Sequence, residues 1–151
     1  MTQSIDMAKV LKKKVLVYCV RDGKLLVFRH VDYPWEEVGI QVPAGSIRDG
    51  ESVEDAALRE LIEETGHDCF EIDGIIGATW YDISPYRQEL QERYFVRAHP
   101  TSDLPDRWMS QENHDGDQPP TRFECFWIPL QAAHVLQTGQ SAMLWRLADA
   151  S

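Results

Sequence analysis

A glycine-bearing segment of this chain leads directly into a glutamate-rich run with helix signals at both ends. The segment Gly45–His67 reads GSIRDGESVEDAALRELIEETGH. Ser52 is a good N-cap residue, and Gly66 suits the left-handed turn that often ends a helix. The segment therefore predicts a loop followed by a helix over about Val53–Thr65, with one apolar side and one acidic side.

The acidic side of this predicted helix brings like charges together. At about 100° per residue, Glu60, Glu63 and Glu64 fall on one face. The apolar stripe beside them consists of Ala57, Leu58, Leu61 and Ile62. Like charges one helical turn apart cost roughly 0.2–0.5 kcal/mol per pair. A hard divalent cation would remove this repulsion, whereas a solvated acidic surface would leave it in place.

The fixed positions around these glutamates resemble a known signature. They follow the spacing G-x5-E-x7-R-E-L-x-E-E-x-G and are Gly45, Glu51, Arg59, Glu60, Leu61, Glu63, Glu64 and Gly66. This pattern closely resembles the Nudix box, which is found in Mg²⁺-dependent hydrolases that cleave a diphosphate linked to another moiety. His67 stands where the family pattern has a bulky aliphatic residue. That difference concerns packing at the helix end and none of the charged positions.

The resemblance implies a metal-dependent active site. The implied metal ligands are Gly45, Glu60, Glu63 and Glu64, and the implied catalytic group is Arg59, Glu60, Glu63 and Glu64. Mg²⁺ is the implied cofactor, with Mn²⁺ as a substitute, since carboxylates on one face bind such an ion jointly with phosphate oxygens. Arg59 would orient carboxylates, and Glu51 would anchor the loop. The implied chemistry is attack of a metal-bound water on phosphorus.

The identity of the general base stays open at this point. In this family the base can be a box glutamate or a carboxylate from a downstream loop or strand. Glu92 and Glu124 are candidates outside the box, although each also fits a solvent-facing strand residue. His114 and Asp115 lie in a long polar segment and would contribute only if that segment closes over the site.

Aromatic and basic side chains in the flanking segments are candidate substrate contacts. The main candidates are Arg29, Tyr33, Trp80 and Glu124. Further candidates on the same grounds are Trp35, Tyr81, Tyr86 and Arg87. A nucleobase could stack on a ring and an arginine could bind phosphate, although most large aromatic side chains belong to a core.

Composition limits the class of partner. The 151 residues carry a formal net charge of −10, which argues against a surface that binds nucleic-acid or membrane phosphates. The expected partner is a small nucleotide-type substrate, with no nucleic acid and no membrane, and a homodimer is left open. Cys19, Cys69 and Cys125 show no paired spacing, which predicts reduced thiols. With no apolar leader segment, the chain is expected to be cytoplasmic.

Apolar runs with turn signals between them predict a sheet. Lys14–Val20 and Lys24–His30 flank an Asp-Gly turn signal and predict an antiparallel hairpin. The other predicted strands are about Val38–Val42, Phe70–Asp82, Glu89–Ala98 and Phe123–Ile128, and the predicted helical pieces are Pro129–Leu136 and Ser141–Leu147. Pro100–Thr121 follows neither period and is expected to be a functional or disordered connection.

These elements fit a single domain of the α/β (α+β) class over residues 1–151. The resemblance implies a mixed β-sheet sandwiched between helices. The sequence VPAG before the box favours sugar-nucleotide or ADP-ribose substrates slightly over nucleoside triphosphates. The alternative function is a ligand-sensing module without turnover, but such modules usually lack a box glutamate and this chain lacks none.

Overall fold

A computed structural model describes residues 9–34, 39–114, 116–136 and 139–148. Within them seven strands form one mixed sheet. The strands are β1 (Val10–Arg21), β2 (Lys24–His30), β3 (Ala44–Ser46), β4 (Phe70–Asp82), β5 (Glu89–Pro100), β6 (Arg107–Glu112) and β7 (Thr121–Pro129). The helical elements are α1 (Val53–Thr65), a 3₁₀ helix (Leu130–Val135) and α2 (Trp145–Ala148). None of these described helices is long and apolar enough to cross a membrane.

The strand order explains how the sheet holds the acidic helix. The order is β4-β5-β1-β2-β7-β6, with β3 paired to β1 outside this path. Strands β1 and β5 are parallel, and the other neighbouring pairs are antiparallel. One core layer packs α1 against one face of the sheet, and a second layer packs the 3₁₀ helix and α2 against the other. The predicted sheet between helices is therefore confirmed.

The hairpin of β1 and β2 opens a gap in the centre of the sheet. Asp22 and Gly23 form the turn with φ values of 52° and 74°, as the Asp-Gly signal predicts. The two strands pair only beside this turn, through Val20 with Leu25 and Arg21 with Lys24. Beyond it they diverge, and β3 pairs with β1 instead. The box loop thus enters the sheet where β1 and β2 separate.

Helix α1 has the predicted bounds because both ends carry strong local signals. The hydroxyl of Ser52 accepts a hydrogen bond from the N–H of Asp55 at 3.0 Å. Gly66 adopts φ 76° and donates its N–H to the carbonyl of Ile62 at 2.9 Å. Ser52 therefore supplies a cap to an otherwise unpaired backbone donor.

The buried face of α1 differs from the predicted apolar stripe. Ala56, Ala57 and Leu61 are buried as the core of that face, whereas Ile62 is 38 % exposed. Glu60 and Glu64 lie among the buried residues of the helix. The prediction for Ile62 is wrong because the helix turns its carboxylates, rather than this isoleucine, toward the sheet.

The segment predicted as an aperiodic connection, Pro100–Thr121, contains a strand. Its residues Arg107–Glu112 form β6, which pairs antiparallel with β7 at the edge of the sheet. Trp108 on β6 donates its indole N–H to the carbonyl of Thr65 at 2.8 Å. Pairing with β7 and docking on α1 hold this strand in place, and neither contact leaves a local pattern in the sequence. Asp115 lies outside the described residues.

Smaller differences concern element bounds. Instead of a strand over Val38–Val42, Ile40 and Gln41 form isolated bridges and the strand proper is β3, while Val38 lies outside the described residues. Over Ser141–Leu147 the chain first makes turns, and α2 begins only at Trp145. The cysteines are free thiols, as predicted, with Cys19 and Cys125 buried.

The N-cap of α1 provides a test of how much local signals contribute to stability. Ser52→Ala should lower the free energy of unfolding by about 1 kcal/mol, because the N–H of Asp55 loses its acceptor. Ser52→Thr keeps an acceptor oxygen and should stay within a few tenths of a kcal/mol of wild type. Urea unfolding of the three proteins gives both values. A loss of equal size in the two variants would show that the cap does not stabilise α1.

Candidate active site

Gly45 on β3 lies in direct contact with the carboxyl group of Glu60. A Cβ atom built at position 45 would lie 2.1 Å from Oε1 and 2.5 Å from Oε2 of Glu60. No side chain fits in that space without displacing the carboxyl group. The glycine at the first fixed position of the box is therefore needed for close approach of the strand to the helix.

Glu64 ties the helix to the loop from the next turn. Its Oε1 accepts a hydrogen bond from the N–H of Ala44 at 2.8 Å. The residue is 7 % exposed, and Glu60 is 8 % exposed. Two carboxylates from adjacent turns of α1 thus lie buried against β3, so the acidic side of the helix is not a solvated surface at these positions.

Arg59 connects the loop and the helix. Its Nε donates to Oε2 of Glu51 at 2.8 Å, and its Nη1 donates to Oε1 of Glu60 at 2.7 Å. Its Nη2 donates to the carbonyl of Ser46 at 2.8 Å and to Oε1 of Glu51 at 2.9 Å. Hydrogen bonding to Arg59 lowers the pKa of Glu51 to about 2. Arg59 therefore positions the loop and one of the two buried carboxylates.

Nearby positive charge does not fully compensate the burial of these two carboxylates. Burial raises the pKa of Glu60 to about 7, although the hydrogen bond from Arg59 opposes this. Burial, followed by the charge of Glu60, raises the pKa of Glu64 well above its ordinary value. Adjacent buried carboxylates without a matching cation are unfavourable. Hard oxygen donors in this arrangement fit a divalent cation such as Mg²⁺.

Among the described residues, the box carboxylates do not converge on one point. In the described part of the chain, no three acidic, imidazole or thiol groups converge as a formed metal site. Oε1 of Glu60 accepts from Arg59, and Oε1 of Glu64 accepts from Ala44. Glu63 is further out, with ion pairs to Arg59 at 3.5 Å and to Arg48 at 3.7 Å. Glu60 and Glu64 are thus the desolvated members of the predicted set.

Glu112 on β6 is a carboxylate near the site that the sequence analysis did not select. Its charge raises the pKa of both Glu60 and Glu64. The residue is half-buried on the same face of β6 as Trp108, whose indole contacts the end of α1. It escaped notice because it lies in the segment that was expected to be a loop.

The influence of Glu112 can be measured directly. Glu112→Gln should lower the pKa of Glu60 in metal-free protein, because one repelling charge is removed. Carboxyl ¹³C titration by NMR reports that pKa in both proteins. Glu71→Gln, at an exposed glutamate on β4, is the matched control and should leave it unchanged. An unchanged pKa in Glu112→Gln would show that Glu112 is too distant to take part.

The candidate residues Arg29 and Glu124 lie on the other face of the sheet. Phe123 and Cys125 point into the core beneath α1, so Glu124 between them points away from it. Nε of Arg29 donates to Oε1 of Glu124 at 2.6 Å, and Nη1 of Arg107 lies 2.9 Å from Oε2. Arg107 and then Arg29 hold the pKa of Glu124 below its usual range. This carboxylate is part of an arginine-paired cluster.

The aromatic candidates lie at the surface. Tyr33 and Trp80 are both exposed. Tyr33 lines a cavity of about 390 Å³ together with His30, Asp32, Pro119, Pro120, Thr121 and Arg122. Trp80 is on β4, opposite Glu92 of β5. Trp35 lies outside the described residues. The loop candidate His114 contacts Thr121, with its Nε2 2.7 Å from the hydroxyl oxygen. None of these contacts joins the aromatic candidates to Glu60 or Glu64.

The face of the sheet opposite α1 holds two further basic residues that sequence reasoning missed. Lys14 on β1 and Arg93 on β5 line a small cavity that also reaches Gly45. In the sequence Lys14 is the last of three consecutive lysines and Arg93 directly follows a glutamate, and the parallel pairing of β1 with β5 brings the two residues opposite one another. No local signal joins positions this far apart in the chain.

Comparison with known proteins is consistent with this geometry. The family model of the NUDIX domain matches residues 10–145. Among curated proteins, a methanol dehydrogenase activator from Bacillus methanolicus is 31 % identical over 84 residues, which is 55 % of this chain and 44 % of that protein. An ADP-ribose pyrophosphatase from Bacillus subtilis is 43 % identical over 54 residues, 35 % of this chain and 29 % of that protein.

An RNA pyrophosphohydrolase from Dinoroseobacter shibae is 43 % identical over 61 residues, 40 % of this chain and 38 % of that protein. The match thus spans less than half the length of each of these relatives. Among solved structures, a MutT NUDIX hydrolase from Burkholderia pseudomallei superposes with a TM-score of 0.67 at 20 % identity, covering 92 % of this chain and 99 % of that one. At that identity the likeness concerns the fold.

Proposed function

Because the chain belongs to the Nudix family, we propose that it hydrolyses a diphosphate linkage in a small nucleotide-type substrate, with Mg²⁺ as cofactor and Mn²⁺ as a substitute. The observation that carries this proposal is the pair of buried carboxylates, Glu60 and Glu64, packed against the glycine strand at Gly45. Burying two adjacent carboxylates beside a single arginine has a desolvation cost, and a purely structural role for the helix does not offset it. A cation that binds between them and a substrate diphosphate removes that penalty.

We propose that Glu60, Glu64 and the carbonyl of Gly45 hold the metal, with Glu63 as the outer ligand. When bound, the metal would neutralise the diphosphate and lower the pKa of a water that attacks phosphorus. Arg59 orients Glu60 through its Nη1 and keeps the loop at Ser46 in place through its Nη2. In this proposal Arg59 is a positioning residue, because its donors are directed at protein oxygens.

Several carboxylates are available to take the proton from the attacking water. Burial raises the pKa of Glu60 to about 7 in the protein without a cation, so this box carboxylate can accept a proton near neutral pH. Glu112 adds a carboxylate from outside the box. Glu124 is a weaker candidate because Arg29 and Arg107 hold its oxygens on the other face of the sheet.

The type of substrate is proposed from weaker cues. The sequence VPAG before the box favours ADP-ribose or a sugar nucleotide. Two of the curated relatives carry the name ADP-ribose pyrophosphatase. The net charge of −10 argues against a polymeric RNA substrate, because the chain would repel its phosphates.

The proposed activity is tested with a panel of nucleoside triphosphates, ADP-ribose, NADH, diadenosine polyphosphates and coenzyme A, each with Mg²⁺ and with Mn²⁺. At least one compound should release a phosphate-containing product, and excess EDTA should stop the release. In ¹⁸O-water the label should appear on phosphate, because attack occurs at phosphorus. Activity that survives EDTA would contradict the metal site, and silence across the panel would favour a ligand-sensing module.

A further inference from the structure

A small cavity lies beside Gly45 on the face of the sheet opposite α1. Its volume is about 200 Å³, and its lining residues are Lys14, Leu16, Ala44, Gly45, Arg93 and Gln140. Sites for drug-sized ligands occupy roughly 300–1,000 Å³, so this cavity suits one small group rather than a base with its sugar. Because Gly45 contacts Glu60 on its other side, the cavity and the carboxylates share one strand.

Arg93 lies in this cavity with unused hydrogen-bonding capacity. Its Nη1 is buried and has no hydrogen-bond partner within the described part of the chain. Its Nε donates to Oε1 of Gln91 at 3.0 Å, and its guanidinium carbon lies 4.0 Å from the centre of the Tyr81 ring. Gln91 and Tyr81 thus fix the plane of the guanidinium, and its Nη1 lies beside Gly139 without an acceptor among the described residues. A buried charged donor without an acceptor is costly, so a ligand that offers one to Nη1 would be stabilised here.

Lys14 adds a second cation that lacks a carboxylate partner. Its ammonium donates to the hydroxyl of Ser46 at 2.8 Å, which leaves two of its three protons for other acceptors. Among the salt bridges of the described residues, neither Lys14 nor Arg93 takes part in one. The charge of Glu89 acts on Lys14, but its Oε2 accepts a hydrogen bond from Gln91. The cavity therefore carries positive charge in a chain that is strongly negative.

We propose that Arg93 and Lys14 bind a phosphate group of the substrate that lies outside the hydrolysed diphosphate. The proposal rests on the proposed function, and it narrows the substrate class to compounds with a further phosphate, such as nucleoside triphosphates. ADP-ribose has no such group, so the charge of the cavity opposes the cue from VPAG. The planar guanidinium and the point charge of the ammonium together match a tetrahedral oxyanion.

Binding of inorganic phosphate tests the cavity without requiring turnover. Calorimetric titration in EDTA-containing buffer should give at least about tenfold weaker binding for Arg93→Met and for Lys14→Gln, since each loses charge-assisted hydrogen bonds. Lys12→Gln is the matched control, because it removes the same charge from an exposed position two residues away on the same face of β1. It should change the dissociation constant by no more than about twofold. Arg93→Lys retains the charge and should bind with intermediate affinity.

Steady-state kinetics then tests whether the cavity binds a phosphate group of the substrate or only free inorganic phosphate. Arg93→Met should raise KM about tenfold or more for a nucleoside triphosphate and leave KM for ADP-ribose unchanged. Equal phosphate binding in wild type and Arg93→Met, both shown to be folded by circular dichroism, would overturn the site. Weakened phosphate binding with no change in KM for any compound would overturn its assignment to the substrate. Absence of all turnover would count against the proposed function alone, because the phosphate titration still decides the cavity.

Discussion

Glu64→Gln is expected to lower turnover by about two orders of magnitude or more, which is the usual scale for removing a preorganised electrostatic contact at a reacting centre. The amide keeps an oxygen that can accept the N–H of Ala44, so the helix and the loop should stay joined. What the substitution removes is the charge that the proposed metal site requires. Rates with saturating Mg²⁺ and the best substrate of the panel give the size of the loss.

The same variant should be more stable than wild type in metal-free buffer at neutral and higher pH. Burial raises the pKa of Glu64, so this group stabilises the fold below its unfolded pKa and loses that contribution as pH rises through the folded pKa. Glutamine has no charge to bury and escapes the loss. In the proposed site Mg²⁺ would bind only the folded state of wild type, so its addition should reverse the order of stability. Melting curves at pH 5 and pH 8, with and without Mg²⁺, show both effects.

Glu54→Gln is the matched control for this comparison. Glu54 is an exposed glutamate in the first turn of the same helix, and its loss should cost a few tenths of a kcal/mol and leave the Mg²⁺-induced shift intact. If Mg²⁺ raises the melting temperature of Glu64→Gln as much as that of wild type, Glu64 is not a ligand. If Glu54→Gln also loses the Mg²⁺-induced rise in melting temperature, that rise depends on the net charge of the protein rather than on Glu64.

The parts of the fold that the sequence predicted are those with local causes. The hairpin between β1 and β2 follows from the left-handed conformations at Asp22 and Gly23. Helix α1 has its predicted bounds because Ser52 caps one end and Gly66 ends the other. Each signal acts within a few residues, so it is readable without knowledge of the rest of the chain.

Features that depend on tertiary context could not be predicted in this way. Strand β6 exists because β7 offers a pairing edge and Thr65 offers an acceptor to Trp108. The meeting of Lys14 with Arg93 needs the parallel pairing of β1 with β5. Neither contact produces a period or a motif along the sequence.

Burial determines which box glutamate gives the largest change in stability when its charge is removed. From the sequence, Glu60, Glu63 and Glu64 share one crowded face, and Glu63→Gln would relieve part of their repulsion in metal-free protein. In the structure Glu63 has Arg59 and Arg48 as ion-pair partners and is partly exposed. The largest gain from neutralisation is therefore expected at Glu64, where burial is the leading cause of the pKa shift. Helical periodicity predicts that the three glutamates share a face. Which of them is desolvated depends on packing against the sheet, which the periodicity does not show.

Gly45→Ala should destabilise the protein and lower its activity because the new Cβ would overlap the carboxyl group of Glu60. Overpacking of this kind costs about 1–3 kcal/mol, and displacement of Glu60 would disturb the proposed metal site. If the clash is the cause, the loss should be much smaller in a Glu60→Ala background. The coupling between the two substitutions, measured by urea unfolding of the double-mutant cycle, is then expected to reach about 0.5–3 kcal/mol.

The control for this cycle is Gly50→Ala, in the loop between β3 and α1. Gly50 has φ 79° and open space around its Cα, so alanine there costs about 1–2 kcal/mol of backbone strain without touching Glu60. That cost should be the same in wild type and in Glu60→Ala. Additive behaviour at Gly45 as well would mean that the loop can move away from the helix, and the close contact between Gly45 and Glu60 would then not be what holds the carboxylate in place.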